Sequence, residues 1–159
     1  MRVKWVWAVL VLTIVNLGIT ACDLGAKALL FSNLALDLGA TGVVTLSAAG
    51  VPQLNSIQIG PNGAVTFDPG VIEVISVAGA NGFVVFASEI DNTTGEITLA
   101  AGSTSGPVPT GAVLEFTVKA VGPSGSSTPI NITSIDFLLK VGGEPVGAYK
   151  VTPGKISVD

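Results

Sequence analysis

Ala112-Val113-Leu114-Glu115-Phe116-Thr117-Val118-Lys119-Ala120-Val121 decides the fold class. Leu114, Phe116, Val118 and Ala120 alternate with Val113, Glu115, Thr117, Lys119 and Val121. Successive side chains of an extended strand point to opposite faces, so this spacing predicts one face in the core and one mainly in solvent. No stretch of the body carries a convincing amphipathic helix of three turns.

Outward from that strand the chain repeats one pattern, short apolar runs cut by Gly, Pro and Asn. Further strands are expected over 41–48, 54–59, 64–68, 71–77, 82–90, 96–101, 130–139, 146–151 and 155–158. Leu30, Leu34 and Leu38 would suit a helical stripe, but Leu30, Ser32, Leu34, Leu36 and Leu38 fit alternation too, and the segment reads as strand. Asp91-Asn92-Thr93-Thr94-Gly95 supplies the short polar side chains and the glycine of a hairpin loop. Pro61-Asn62-Gly63, Gly79-Ala80-Asn81-Gly82, Gly122-Pro123-Ser124-Gly125 and Gly142-Gly143-Glu144-Pro145 punctuate in the same way.

A single sheet this apolar would expose a hydrophobic face. The expected fold is therefore all-β, a two-sheet antiparallel β-sandwich of about nine to ten strands. Its core should hold Val44, Leu46, Ile57, Ile59, Val65, Phe67, Ile72, Val74, Val85, Ile97, Leu99, Leu114, Phe116, Val118, Ile132 and Ile156. At 159 residues the chain suits one domain. That size buries roughly two thirds of the unfolded surface, enough to dispense with disulfides or metal.

The composition excludes much chemistry. There is no His and one Cys, which removes the commonest general base, an internal disulfide and a thiolate metal site. Asp68, Glu73, Glu89, Asp91, Glu96 and Asp136 are acids without a spacing that marks a catalytic pair. They read instead as turn caps and solvent-facing charges, so no enzyme is expected. Calcium could draw oxygen ligands from Asp91, Asn92 and Thr94, but no Asp-x-Asp-x-Asp-Gly loop is present and no cofactor is expected. Asn92-Thr93-Thr94 and Asn131-Ile132-Thr133 match glycosylation acceptors, a coincidence common in Thr- and Asn-rich chains.

Arg2 and Lys4 precede an uncharged run from Trp5 to Ala21, the layout of a secretory signal. Leu17-Gly18-Ile19-Thr20-Ala21-Cys22 closes it with small residues before the only thiol, which resembles a bacterial lipoprotein signal. That resemblance implies a signal peptide over 1–21, acylation of Cys22 and a lipid-anchored segment over 22–38 leading into the first strand. Two or three acyl chains would hold the protein stably on a membrane where one would not. An ordinary signal cut near Ala21 and an uncleaved anchor are the alternatives. Removing residues 1–21 leaves five Lys, no Arg and eleven acids, a net charge of about −6. Nucleic acid, which needs clustered Lys and Arg, is not an expected partner. Trp5 and Trp7 leave with the signal, and the Phe residues sit in apolar strand contexts where core packing is the default.

Phe67-Asp68-Pro69-Gly70-Val71-Ile72-Glu73-Val74 resembles the aromatic-Asp-Pro-x-Val-Leu-x-Val element of cohesin domains. Ile90 to Ile97 resembles the next hairpin of that family, and Gly111 to Val118 its late Gly-x-Leu strand. The resemblance covers roughly 39–159 and implies a nine-stranded jelly roll, similar also to some carbohydrate-binding modules. It further implies a non-catalytic domain that docks a protein, a dockerin or another surface protein, on one sheet face. Asn62, Ser103 and Thr104 are the rim residues expected to meet that partner. The stretch Ala100-Ala101-Gly102-Ser103 stands where the family carries an acid. Binding of polysaccharide and a structural surface subunit are the alternative functions. Each of these places the mature domain outside the cytoplasm.

Overall fold

The computed structural model describes residues 27–51, 53–104, 106 and 110–159. The leader and Cys22 lie outside the described residues. Thirteen strands are described: β1 Ala28–Phe31, β2 Leu34–Leu36, β3 Thr41–Ala49, β4 Leu54–Ile59, β5 Val65–Thr66, β6 Ile72–Gly79, β7 Phe83–Asp91, β8 Glu96–Ser103, β9 Gly111–Ala120, β10 Ser127–Ile132, β11 Phe137–Lys140, β12 Lys150–Thr152 and β13 Gly154–Val158. One sheet runs β12-β1-β3-β9-β6. The other runs β11-β4-β8-β5-β10-β13-β2, with β7 on the remaining edge of β8. Most ladders are antiparallel, but β1 pairs β12 and β2 pairs β13 in parallel.

The decisive strand behaves as its alternation requires. Leu114, Phe116, Val118 and Ala120 are buried, and Glu115 and Lys119 are exposed. Its partner β3 matches it residue for residue, with Val44 opposite Phe116 and Leu46 opposite Leu114. Phe116 is fully buried against Phe31, ring centroids 5.7 Å apart at 56°. Val113 departs from the alternation and is buried. The register shifts there, Ser47 pairing with Ala112 and Leu46 with Leu114, so Val113 is the extra residue of a bulge and turns inward. Every residue expected in the core is buried except Val85, which is half-buried at its margin.

Two expected strands come out differently. The run 130–139 is split into β10 and β11, and 146–151 contracts to the start of β12 at Lys150. The first split has a partner, because β4 and β5 are likewise one path along β8 broken at 60–63. The two breaks face each other. Ala64 N–H donates to Thr133 Oγ1 at 3.0 Å, and Asn62 Nδ2 donates to Asp136 Oδ1 at 2.6 Å. A Cβ on Gly63 would run into the Ser134 backbone, so glycine lets the two loops touch.

The sheets are also clipped together by a side chain. Asn92, in the hairpin between β7 and β8, accepts Val74 N–H at 2.8 Å through Oδ1 and donates Nδ2 to the Val74 carbonyl at 3.0 Å. Val74 lies on β6, an edge strand of the opposite sheet.

Strand order gives the sandwich two distinct poles. Lys27 and the start of β1, the ends of β3 and β6, the end of β8 and the start of β9 lie at one. The β7–β8 hairpin, the β5–β6 turn and the β2–β3 turn lie at the other.

Candidate functional site

The outward side of β7, β8, β4 and β11 forms a continuous four-strand surface. Registry aligns its rows: Val84 beside Gly102, Gly102 beside Ser56, and Ser56 beside Leu139. The next row is Ala87, Ala100, Gln58 and Phe137. Apart from Gln58, its centre is therefore built from small side chains, which keeps it flat. Inward-facing Ile57, Ile59, Ile97, Leu99 and Ala101 hold it on the core.

Two large aromatics stand on its flanks. Phe86 is 63% and Phe137 55% exposed, well beyond what a core position allows. Sequence reasoning placed these rings in the core, and the structure corrects that. Phe86 occupies a bulge between Val85 and Ala87, and its ring lies over Gly102, where a Cβ would stand 3.0 Å from Phe86 Cε2. Phe137 follows the break before β11, and its neighbour Leu138 takes the core position. Exposed Val84 and Val141 extend the apolar area toward the Lys27 pole.

Between the flanks runs a shallow groove of about 560 Å³ lined in part by Gln58, Pro61, Ala87, Glu89, Thr98 and Ala100. Gln58 donates Nε2 to the Gly60 carbonyl at 3.0 Å and is held in place by it. Toward the hairpin pole the face turns acidic through Glu89, Asp91 and Glu96, all exposed. Asp91 Oδ1 accepts the Thr93 and Thr94 N–H groups at 2.7 and 3.2 Å. Those backbone donors, Thr93 first, hold its carboxyl below the usual value of 3.8. At the opposite end Lys140 Nζ stands 4.0 Å from Glu144.

The three expected rim residues border this face but do not converge. Asn62 is exposed in the break between β4 and β5, with its amide on Asp136. Ser103 ends β8 opposite Phe83, and Thr104 is exposed just beyond it. Gly60 packs on Thr98, so Asn62 lies near that level of β8. Five residues of β8 then separate it from Ser103, roughly 17 Å of extended chain.

No group of three His, Cys, Asp or Glu side chains able to hold a metal occurs among the described residues. The loop weighed for calcium is already committed, since Asp91 Oδ1 receives backbone amides and Asn92 Oδ1 receives Val74. Asp68 Oδ1 accepts Gly70 N–H at 2.8 Å, the turn-capping role expected of it.

No family model matches the sequence, and no curated protein matches it. Solved structures do match in shape. The sixth cohesin of Acetivibrio cellulolyticus scaffoldin B, solved in complex with a dockerin, superposes with a TM-score of 0.70 at 17% identity, covering 84% of this chain and 99% of that one. A type I cohesin from Clostridium thermocellum, also solved with a dockerin, gives 0.71 at 13%, covering 85% and 100%. A non-cellulosomal cohesin from the archaeon Archaeoglobus fulgidus gives 0.67 at 14%, covering 85% and 92%. Two packed sheets in the same arrangement, matched over nearly the whole of each solved domain, identify the architecture: the chain has the fold of a cohesin domain.

Proposed function

We propose that the chain is a non-catalytic, exported docking module, acylated at Cys22 and binding a protein partner on the outward face of β7, β8, β4 and β11. The observation that carries this reading is the flat, small-residue centre between exposed Phe86 and Phe137. Aromatic anchors around a surface without protruding side chains suit the close approach of a helix or another sheet. Solved domains of this fold were crystallised with dockerins, and a dockerin or a similar surface protein is the partner class proposed here. Asn62 at one end, with Ser103 and Thr104 at the other, would border the contact. No nucleophile with its base and no cofactor is called for.

Polysaccharide is the second reading, and the same two rings favour it. An exposed aromatic face is what stacks on a sugar ring. Phe86 and Phe137, however, stand on strands three spacings apart, roughly 14 Å, with Ala87, Ala100 and Gln58 between them.

The test uses residues 22–159 against the organism's own secreted proteins and a polysaccharide panel. Changing Phe86 and Phe137 together to Ala should weaken protein capture by about 100-fold or more, as expected of two anchor aromatics. Val43→Ala, on the other sheet, should leave capture unchanged. Glycan-only retention that the double variant abolishes would establish the second reading. Capture indifferent to both rings would remove this face from the function.

A further inference from the structure

We infer that the pole bearing Lys27 and Lys150 rests on an anionic phospholipid surface and sets the orientation of the anchored domain. The inference rests on the proposed acylation of Cys22 and adds to it the surface that faces the lipid.

Two observations lead there. The first is where the chain enters the fold. Only Asp23 to Ala26 separate Cys22 from Lys27, a path of at most about 17 Å when fully extended. Lys27 is fixed at its pole, because its ammonium donates to the Val146 carbonyl and its carbonyl accepts Lys150 N–H at 2.9 Å. A lipid on Cys22 therefore brings this pole to the membrane.

The second is how the charges are divided. Lys27, Lys140 and Lys150 share this pole, Ala28 pairing with Lys150 and Leu54 with Lys140, against two acids, Glu144 beside Lys140 and Asp23 in the tether sequence. Asp37, Asp68, Glu73, Asp91, Glu96 and Asp159 lie toward the opposite pole, with Lys119 and Lys155. Glu89, Glu115 and Asp136 fall between the poles, so a chain with excess negative charge has kept a small excess of cations where its tether emerges. Each lysine close to an anionic leaflet is attracted, and charges more than a Debye length away are screened, so the distant acids do not cancel the effect. The face with Phe86 and Phe137 then stands on the side of an upright domain, open to a partner.

Protein beginning at Cys22 can be coupled through that thiol, the only one in the chain, to a maleimide lipid in vesicles of pure phosphatidylcholine or with added phosphatidylglycerol. A soluble acetylating reagent then reports on each lysine, read by mass spectrometry. On anionic vesicles Lys27 and Lys150 should react about fivefold more slowly than on neutral ones, with Lys119 unchanged. High salt or Lys150→Glu should remove most of the protection at Lys27. Equal labelling on the two vesicle types would overturn the inference. So would protection insensitive to both salt and Lys150→Glu, which the tether alone would explain. Because the lipid is attached chemically, either failure leaves acylation in the cell and docking through Phe86 to be judged by their own tests.

Discussion

Gly95→Ala should be among the most damaging single-methyl additions to this domain. Gly95 closes the β7–β8 hairpin at φ +75°, a conformation that costs an alanine about 1 kcal/mol. The added Cβ would also fall inside the van der Waals radius of the Phe67 carbonyl oxygen and 2.8 Å from Pro69 Cδ. Backbone must move to admit it, at about 1–3 kcal/mol. That movement strains the bond from Phe67 N–H to the Gly95 carbonyl, 3.0 Å long and worth about 1 kcal/mol. The expected loss is about 3–5 kcal/mol, against a stability of about 5–15 kcal/mol for domains in general. Gly125→Ala is the control, with φ +84° and nothing within 4 Å of its Cβ, so backbone strain alone applies. At about 4 °C per kcal/mol for this size, Gly95→Ala should lower Tm by about 12–20 °C and Gly125→Ala by about 4 °C. Thermal and urea unfolding followed by circular dichroism would measure both. Equal losses in the two variants would refute the reasoning, since only the contact with Phe67 and Pro69 distinguishes them.

Asn92→Ala removes both bonds to the Val74 backbone and should cost about 1–3 kcal/mol, seen as a lower urea midpoint at unchanged slope. An unchanged midpoint would mean that the clip contributes nothing. Asp91 has its carboxyl pKa lowered in the fold by the Thr93 and Thr94 amides. Its contribution is therefore complete above the unfolded value of about 3.9 and is lost as pH falls through the lower folded value. Asp91→Asn should flatten the fall of stability below about pH 4, and an acid limb identical to the parent's would count against this role.

What the sequence made legible was whatever local chemistry decides. β9 follows from its own alternation, β4 begins and ends at the residues its turn signals mark, and Asp91 to Gly95 closes the hairpin its composition requires. What stayed hidden depends on distant partners. The break between β10 and β11 answers the break at Gly60 to Gly63, and their bond joins residues 74 positions apart. Phe86 and Phe137 were hidden for a related reason. In Phe83-Val84-Val85-Phe86 no period shows which ring turns inward; alternation sets the two rings on opposite faces, Phe83 in the core and Phe86 outward, and the bulge then leaves Ala87 outward beside Phe86. The small residues beneath the rings carried a signal, since Ala87, Ala100 and Gly102 are poor core fillers. Only strand registry reveals that they adjoin.

The hold of Asn92 on Val74 bears on how copies would behave if they were anchored side by side, as proposed above. An uncovered strand margin invites a neighbour's backbone to add on, and confinement to two dimensions makes such encounters frequent. On β6 a newcomer would first have to pull a fitted amide off both backbone polar groups of Val74. Adjacent copies are thereby discouraged from zipping into ribbons along that margin, and each stays a separate unit.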